Sequence, residues 1–290
     1  LKAILRKMNM MTRHFQHLPK TYVAYPQLLR AMLRKKSARL SLPELEYVVE
    51  QLTIDPQHLA RYQALTGFAE TAQVPALYVV MLSQRLQMQM MSVPEFPFQV
   101  LGLVHIANAL EQRRPILAHE VMRLSCRFTA LEPHAKGMVF DFVIEVSIQN
   151  EIVIQARSRY LVKQQTKKTQ AKEKAPTQAV YFPKDEWQVE ESVGRQYAWH
   201  SGDINLIHLH RLTANAFGFK RAIAHGMWSK AQVLSRLNLP DAYRVEVEFK
   251  LPIYLPSRVE LLTAQNEHLA FLLRNTQDQR PHLMGSLISL

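Results

Sequence analysis

One stretch of the chain, residues 197 to 227, concentrates the residue types that acid–base chemistry needs; it reads YAWHSGDINLIHLHRLTANAFGFKRAIAHGM. Within it, Asp203 and Asn205 are followed closely by His208. Gly202 permits a turn, and Ser, Asp and Asn side chains bond their own backbone, which favours an irregular loop over a helix. In such a loop, the Asp203 carboxylate and the His208 imidazole can hold one water molecule, activate it, or exchange protons with a substrate.

The same stretch ends at His225 and Gly226, just before an amphipathic segment. If a helix begins near Gly226, its free backbone N–H groups and its dipole can stabilise an oxyanion. Glycine at that position lets a ligand approach the backbone closely. Because the Gly226 backbone would then stabilise the oxyanion, His225 is interpreted as structural more than catalytic.

Other kinds of site remain open on these residues. A polar loop can simply satisfy its own hydrogen bonds. A zinc or iron site is conceivable from His208 and His210 with His200 and His225, but HLHRLTANAF is typical of a helix start and no second shell is evident. Ser201 could complete a hydrolytic triad with the acid–base pair, but it lacks the context of a nucleophile elbow.

Two similar sets of elements surround this stretch. In the first half, a long apolar segment at 75–91 predicts a buried helix, and its methionines are interpreted as core filler. Four strand-like runs follow at 98–110, 119–131, 138–148 and 152–162. In the second half, a helix is predicted at 226–237, with strand-like runs at 243–251, 258–265, 269–276 and 282–290. The order indicates an α+β fold in which each half is a helix wrapped by an antiparallel sheet, and the halves pair as a pseudo-dimer.

Length and charge set the broad class. With 290 residues, 48% of them hydrophobic, the chain can form two medium cores, and the lysine-rich segment 163–178 predicts a linker between them. The net charge of +12 favours anionic partners: nucleic acid, acidic lipid, coenzyme A or an acidic carrier protein. A nucleic-acid binder is disfavoured, because no strand interleaves aromatic with basic residues.

The location is predicted from what the sequence lacks. Cys126 is the single cysteine, which fits a reducing compartment. The basic N-terminus has no sustained apolar region, so no signal peptide is expected, and no apolar run approaches the ~20 residues that span a bilayer. We therefore expect a cytoplasmic protein without a membrane partner.

The stretch at 197–227 resembles the signature of MaoC-like acyl dehydratases, the (R)-specific enoyl-CoA hydratase family, which adopts the hotdog fold. That pattern runs S-G-D-x-N-P-x-H, then an aromatic-glycine region, then A-H-G-M at the start of the long hotdog helix. The matching positions are Ser201, Gly202, Asp203, Asn205, His208, Gly218, Phe219, Ala224, His225, Gly226 and Met227. Two positions depart: Leu206 stands where the family usually has proline, and His210 where many members have an acidic residue.

The resemblance implies reversible hydration of a trans-2-enoyl thioester to an (R)-3-hydroxyacyl thioester. By it, Asp203 and His208 are the catalytic pair and the Gly226 N–H polarises the thioester carbonyl. No cofactor or metal is implied beyond the coenzyme A or phosphopantetheine arm of the substrate. The substrate-binding residues expected beside the pair, including three cations that could meet coenzyme A phosphates or an acyl carrier protein, are Ser201, Asn205, Ala224, His225, Met227, Lys220, Arg221 and Lys250.

The first half resembles the degenerate repeat of double-hotdog members. DPQHLARYQALTGFAE at 55–70 lies where the motif would be, without its residues. This predicts a non-catalytic hotdog with an N-terminal extension at 1–162, the linker at 163–178 and the catalytic hotdog at 179–290. Two repeats in one chain permit a monomer or a homodimer. The alternative is a catalytically silent hotdog that binds acyl thioesters or a partner enzyme.

Overall fold

The computed structural model of the chain describes residues 10–20, 41–163, 180–265 and 267–290, with the backbone alone at Leu101. Within these residues it has six helices and fourteen strands. Twelve strands form one sheet in the order β1-β2-β6-β8-β9-β4-β11-β14-β13-β12-β10, with β7 attached to β8. The strands are β1 Met11–Phe15, β2 Leu45–Leu52, β3 Gln73–Val74, β4 Leu103–Gln112, β5 Ile116–Leu117, β6 Met122–Phe128, β7 Glu132–His134, β8 Gly137–Ile148, β9 Glu151–Lys163, β10 Phe182–Val189, β11 Tyr243–Phe249, β12 Ser257–Gln265, β13 Leu269–Asn275 and β14 Pro281–Ser289.

Along the chain, three helices follow β2 in the first repeat and three follow β10 in the second. In the first repeat, α1 is Pro56–Thr66, α2 is Ala76–Leu82 and α3 is Gln84–Ser92. In the second repeat, α4 is Val193–Ser201, α5 is Arg211–Ala216 and α6 is Gly226–Leu234. Nearly every residue of α2 and α6 is buried, as expected of a helix that a curved sheet wraps.

Local sequence explains where these elements begin and end. The Asp55 side chain caps α1 by accepting hydrogen bonds from the backbone N–H groups of Gln57 and His58, and Pro56 occupies the first turn. In β11, Tyr243, Val245 and Val247 are buried while the alternate residues are exposed, because one face of this strand packs on the core.

The two repeats join edge to edge through β4 and β11. These strands pair antiparallel, with Val245 opposite Leu110 and Val247 opposite Asn108. The junction makes one continuous sheet, and the buried residues of both repeats form one hydrophobic cluster. The predicted α+β architecture with two helix-and-sheet repeats is confirmed.

The predicted elements differ from the observed ones mainly at their ends. The helix predicted at 75–91 is interrupted at Ser83, whose hydroxyl donates to the Val80 carbonyl at 2.6 Å. The helix predicted at 226–237 ends at Leu234, and all eight strand-like runs contain a strand. The strands β1, β2 and β10 were not predicted, because β2 lacks regular alternation and β1 and β10 are exposed along most of their length.

Of the predicted linker, the structure describes only the first residue, Lys163, which is the last residue of β9. The rest of the predicted linker, 164–178, lies outside them. Among the described helices, none has both the length and the apolar character needed to cross a bilayer.

Candidate active site

A cavity of about 620 Å³ lies between the two repeats, and the 197–227 stretch supplies much of its wall. Of the sequence-predicted site residues, those that line it are Ser201, Asp203, Asn205, His208, Ala224, His225, Gly226, Met227 and Lys250. The structure therefore brings the predicted acid, the predicted imidazole and the predicted helix start to one cavity.

The end of α4 positions Asp203. The Ser201 hydroxyl donates to the Tyr197 carbonyl at 2.7 Å and accepts from the Asp203 N–H at 3.2 Å. Gly202 then turns the chain with φ of 83°, a left-handed conformation that disfavours side chains. The helix end and its glycine thus direct Asp203 into the cavity wall.

The Asp203 carboxyl is a candidate proton-exchanging group. Its burial in the cavity raises its pKa, because desolvation disfavours the charged form, while His208 acts in the opposite direction. A carboxyl with a raised pKa exchanges protons more readily near neutral pH than an exposed one.

His208 is held in one orientation and one tautomer. It ends a one-turn 3-10 helix, Leu206–His208, which Asn205 caps through its side-chain oxygen. The His208 Nδ1 atom donates to the Ile223 carbonyl at 2.7 Å, since a carbonyl can only accept. Burial lowers the pKa of His208 to about 3. The ring is therefore neutral, and Nε2 is the nitrogen left with a lone pair for proton transfer.

Gly194, near the start of α4, lets the His208 backbone pack closely. A Cβ atom at Gly194 would lie 2.2 Å from the His208 carbonyl oxygen, which is a severe clash. This contact fixes the distance between α4 and the loop that carries His208. The close contact therefore requires glycine at this position. The sequence signature gives no indication of this requirement.

Gly226 begins α6 at the cavity. As the first helical residue, its N–H has no acceptor within the helix and points away from it. A Cβ atom at Gly226 would lie 3.0 Å from the Phe249 ring, so the ring packs directly on the backbone. Gly226 thus lies at a helix N-terminus beside an aromatic wall, and its role as oxyanion donor stays a prediction.

The predicted cationic residues are divided by the structure. Lys250 lies at the cavity wall, where it pairs with Glu248, and Lys163 lines the same cavity. Lys220 and Arg221 are exposed and do not line it. Arg221 donates instead to the Pro256 carbonyl at 3.2 Å and lies near the Tyr254 ring.

The alternative sites do not gain support from the geometry. The Ser201 hydroxyl is bonded to the backbone, so it does not pair with His208 as a triad nucleophile would. His210 is an N-cap of α5 and accepts from the Leu212 N–H at 3.2 Å. In the part of the chain that the structure describes, no three His, Cys, Asp or Glu side chains are placed to hold a metal ion.

The first repeat contributes residues that sequence reasoning did not assign to the site. Met81, Met88 and Met91, interpreted as core filler, are buried but also line the cavity. Further lining residues from the first repeat include Val80, Gln84, Gln87, His105, Ser158 and Tyr160. Their participation depends on how the repeats pack, and no local pattern signals it.

The first repeat also has its own version of the α4 turn. The Thr66 hydroxyl donates to the Tyr62 carbonyl at 2.6 Å, and Gly67 follows with φ of 81°. The next residue is Phe68, where the second repeat has Asp203. Similarly, α2 begins at Ala76 where α6 begins at Gly226. The first repeat therefore retains the turn but has an apolar residue where the second repeat has Asp203.

Fold and site together define a pair of fused hotdog repeats in which a loop carrying Asp203 and His208 lines a largely apolar cavity. The MaoC-like domain family matches residues 164–265. The chain is 32% identical to 3-hydroxyacyl-thioester dehydratase X of Mycobacterium tuberculosis, over 91% of this chain and 99% of that protein. The chain therefore belongs to the MaoC-like dehydratase family.

Solved structures agree on the fold. The crystal structure of HtdX of M. tuberculosis matches with a TM-score of 0.75 and 31% identity, covering 84% of this chain and 100% of that one. A conserved hypothetical M. tuberculosis protein with a double hotdog fold matches with a TM-score of 0.55 and 10% identity, covering 84% and 95% of the two chains. The latter supports the fold alone. The double hotdog architecture expected from the sequence is confirmed.

Proposed function

We propose that this protein catalyses the reversible hydration of a trans-2-enoyl thioester to an (R)-3-hydroxyacyl thioester. The observation that carries the proposal is the meeting of Asp203, His208 and the Gly226 helix start at one cavity. The related M. tuberculosis protein, whose name identifies it as a 3-hydroxyacyl-thioester dehydratase, supports the same reaction class.

In the hydration direction, one water molecule supplies both added groups. The Asp203 carboxyl and the His208 Nε2 atom hold it beside the double bond. As the water oxygen bonds to C3, the pair accepts its proton and a proton is returned to C2, which takes the electrons of the double bond. Neutral His208 can accept that proton because its Nδ1–H is already committed to the Ile223 carbonyl. Dehydration is the same sequence reversed.

Negative charge develops on the thioester oxygen while C2 awaits its proton. The Gly226 N–H and the positive end of the α6 dipole stabilise this charge. Loss of one oxyanion donor costs about 2.7–4 kcal/mol of transition-state stabilisation in enzymes that have an oxyanion hole.

The substrate arm and the acyl tail have separate places. The arm is that of coenzyme A or a phosphopantetheine carrier, whose anionic groups meet Lys163 and Lys250 at the cavity, with exposed Lys220 and Arg221 outside it. The acyl tail extends along the methionines of α2 and α3. A volume of about 620 Å³ lies within the usual range of ligand cavities.

The two repeats differ at the proposed catalytic positions, because the first has Phe68 and Ala76 where the second has Asp203 and Gly226. We propose a non-catalytic hotdog at 1–162 and a catalytic hotdog at 179–290, because only the second retains the acid–base loop. The two repeats already form the paired arrangement within one chain, so a monomer is sufficient for activity and a homodimer is permitted. The cytoplasm remains the predicted location, on the basis of the single cysteine.

The test is loss of enoyl absorbance with crotonyl-CoA and with a longer trans-2-enoyl-CoA. Wild type should turn over at least one of them, and Asp203→Asn should abolish turnover while remaining folded. Asp241→Asn, an exposed aspartate outside the cavity wall, is the matched control and should behave as wild type. Absence of wild-type turnover on these substrates and on the corresponding carrier-protein thioesters would favour the silent hotdog instead.

A further inference from the structure

We infer that His225 is a positioning residue that holds Asp203 and His208 in register with each other. The inference rests on the function proposed above and assigns a role within the same site. The sequence resemblance implies that His225 contacts the substrate directly. We infer a positioning role instead.

The first contact is a hydrogen bond to the loop. His225 Nε2 donates to the Asp203 main-chain carbonyl at 3.0 Å, across 22 positions of the chain. The side chain is almost completely buried, at 3% exposure, so water does not compete for this bond. The bond ties the residue bearing the carboxyl to the start of α6, where the oxyanion donor lies.

The second contact is with the imidazole of the pair. The rings of His225 and His208 stack with centroids 3.5 Å apart and planes at 26°. His225 also contacts the Tyr197 ring, at 5.0 Å between centroids. Tyr197 is the residue whose carbonyl holds Ser201, so one ring joins the α4 end, the His208 loop and the α6 start.

The position of His225 makes this use of its side chain informative. It is the N-cap residue of α6, where a polar side chain usually bonds the helix's own N–H groups. The His225 side chain makes no such cap bond. Its donor is directed at Asp203 instead, and the helix N–H groups are left free for a ligand.

The stacked arrangement disfavours charge on both rings at once. Burial lowers the pKa of His225 to about 4 and that of His208 to about 3, so neither carries charge near neutral pH. Two imidazolium rings at this separation would repel each other. Because burial lowers the pKa of His208, a proton that it accepts during turnover sits on a strongly acidic imidazolium, and this favours transfer of the proton to C2.

Two substitutions separate the contacts. His225→Phe keeps a ring to stack on His208 and loses the donor to Asp203, whereas His225→Gln keeps a donor of similar reach and loses the ring. We expect His225→Phe to lower kcat for trans-2-enoyl-CoA hydration about 10- to 100-fold, since small misplacements of catalytic groups cost this much. KM should change less than about threefold, and His225→Gln should recover part of the lost kcat.

Thermal unfolding is measured in parallel. If His225→Phe does not fold, His225→Asn replaces it, because its amide is too short to reach the Asp203 carbonyl. A raised KM with kcat unchanged would overturn the inference in favour of substrate contact. Wild-type kcat in every variant would also overturn it. A wild type without turnover would instead refute the proposed function, and this inference with it.

Discussion

At the scale of single residues, one hydrogen bond decides what His208 can do. Its Nδ1–H is given to the Ile223 carbonyl, and burial keeps the ring neutral. The pair itself was predicted from the resemblance of residues 197–227 to the family signature, since the spacing of Asp203 and His208 alone does not distinguish it from a structural loop. The tautomer was not predictable, because Ile223 is 15 positions away and reaches His208 only through the fold.

We predict that His208 and His225 remain unprotonated well below the usual histidine range. Their pKa values are lowered to about 3 and about 4, so acidification from pH 8 to pH 5 should protonate neither ring. Imidazole ¹⁵N chemical shifts measured across this range test the prediction. A midpoint near 6.5 for either ring, the ordinary value, would contradict it.

Gly226 makes a second residue-scale prediction. Gly226→Ala places a methyl group 3.0 Å from the Phe249 ring, so the ring or the helix start must shift. Because the N–H donor would then be displaced from the thioester oxygen, we expect kcat to fall by about 10- to 100-fold with the protein still folded.

The control is Asp241→Asn, the exposed substitution outside the cavity wall. Enzyme kinetics and thermal unfolding of both variants give the comparison. Equal kcat in the two variants would show that the donor is not placed at Gly226.

At the scale of secondary-structure elements, α6 is joined to the first repeat by a buried lysine. Lys230 Nζ donates to Asn108 Oδ1 on β4 at 2.5 Å, and Asn108 in turn donates to Ser158 on β9 at 3.1 Å. Burial lowers the pKa of Lys230 to about 7, with Glu246 acting in the opposite direction. The helix that starts at Gly226 is thereby fixed against the neighbouring repeat.

This lysine predicts a specific pH dependence of stability. Its folded-state pKa lies below its unfolded value, so the unfolded chain binds more protons between about pH 7 and pH 10.5. The free energy of unfolding should therefore rise with pH across this range, by an amount on the order of a few kcal/mol, and Lys230 should contribute nothing to the slope below it.

Lys230→Met should remove this rise. Urea unfolding of wild type and variant at pH 7 and at pH 9.5 measures the difference, with Lys250→Met as an exposed lysine control. Identical pH slopes for wild type and Lys230→Met would show that the amine is not desolvated as the structure indicates.

The elements also show what sequence patterns can and cannot predict. The strands of each meander were predictable, because alternation such as that of β11 reflects one buried face. The helix break at Ser83 and the strands β2 and β10 were not predictable from such patterns. Ser83 ends a helix through a hydroxyl bond to Val80, and β10 is an exposed edge strand that packs little.

At the scale of the whole molecule, the site belongs to both repeats. The second repeat supplies the acid–base loop and the helix start, while α2 and α3 of the first repeat supply an apolar wall. The pairing of repeats was predictable from the repeated order of elements. The shared cavity was not, because it depends on the packing between them.

The shared cavity predicts that the first repeat sets the length of acyl chain. Met88→Trp adds bulk to the α3 wall of the cavity, so kcat/KM for a long trans-2-enoyl-CoA should fall at least about tenfold. Turnover of crotonyl-CoA by the same variant should remain within about threefold and serves as the internal control. An equal loss on both substrates would show that the tail does not lie along this helix.

The central claim is that Asp203 and His208 act together on one water molecule. The most direct measurement is crotonyl-CoA hydration by wild type, Asp203→Asn, His208→Gln and the double variant, all shown to be folded. If the pair acts as a unit, the double variant should lose no more activity than the more damaged single variant. Losses that multiply in the double variant, or either single variant retaining wild-type kcat, would contradict the account.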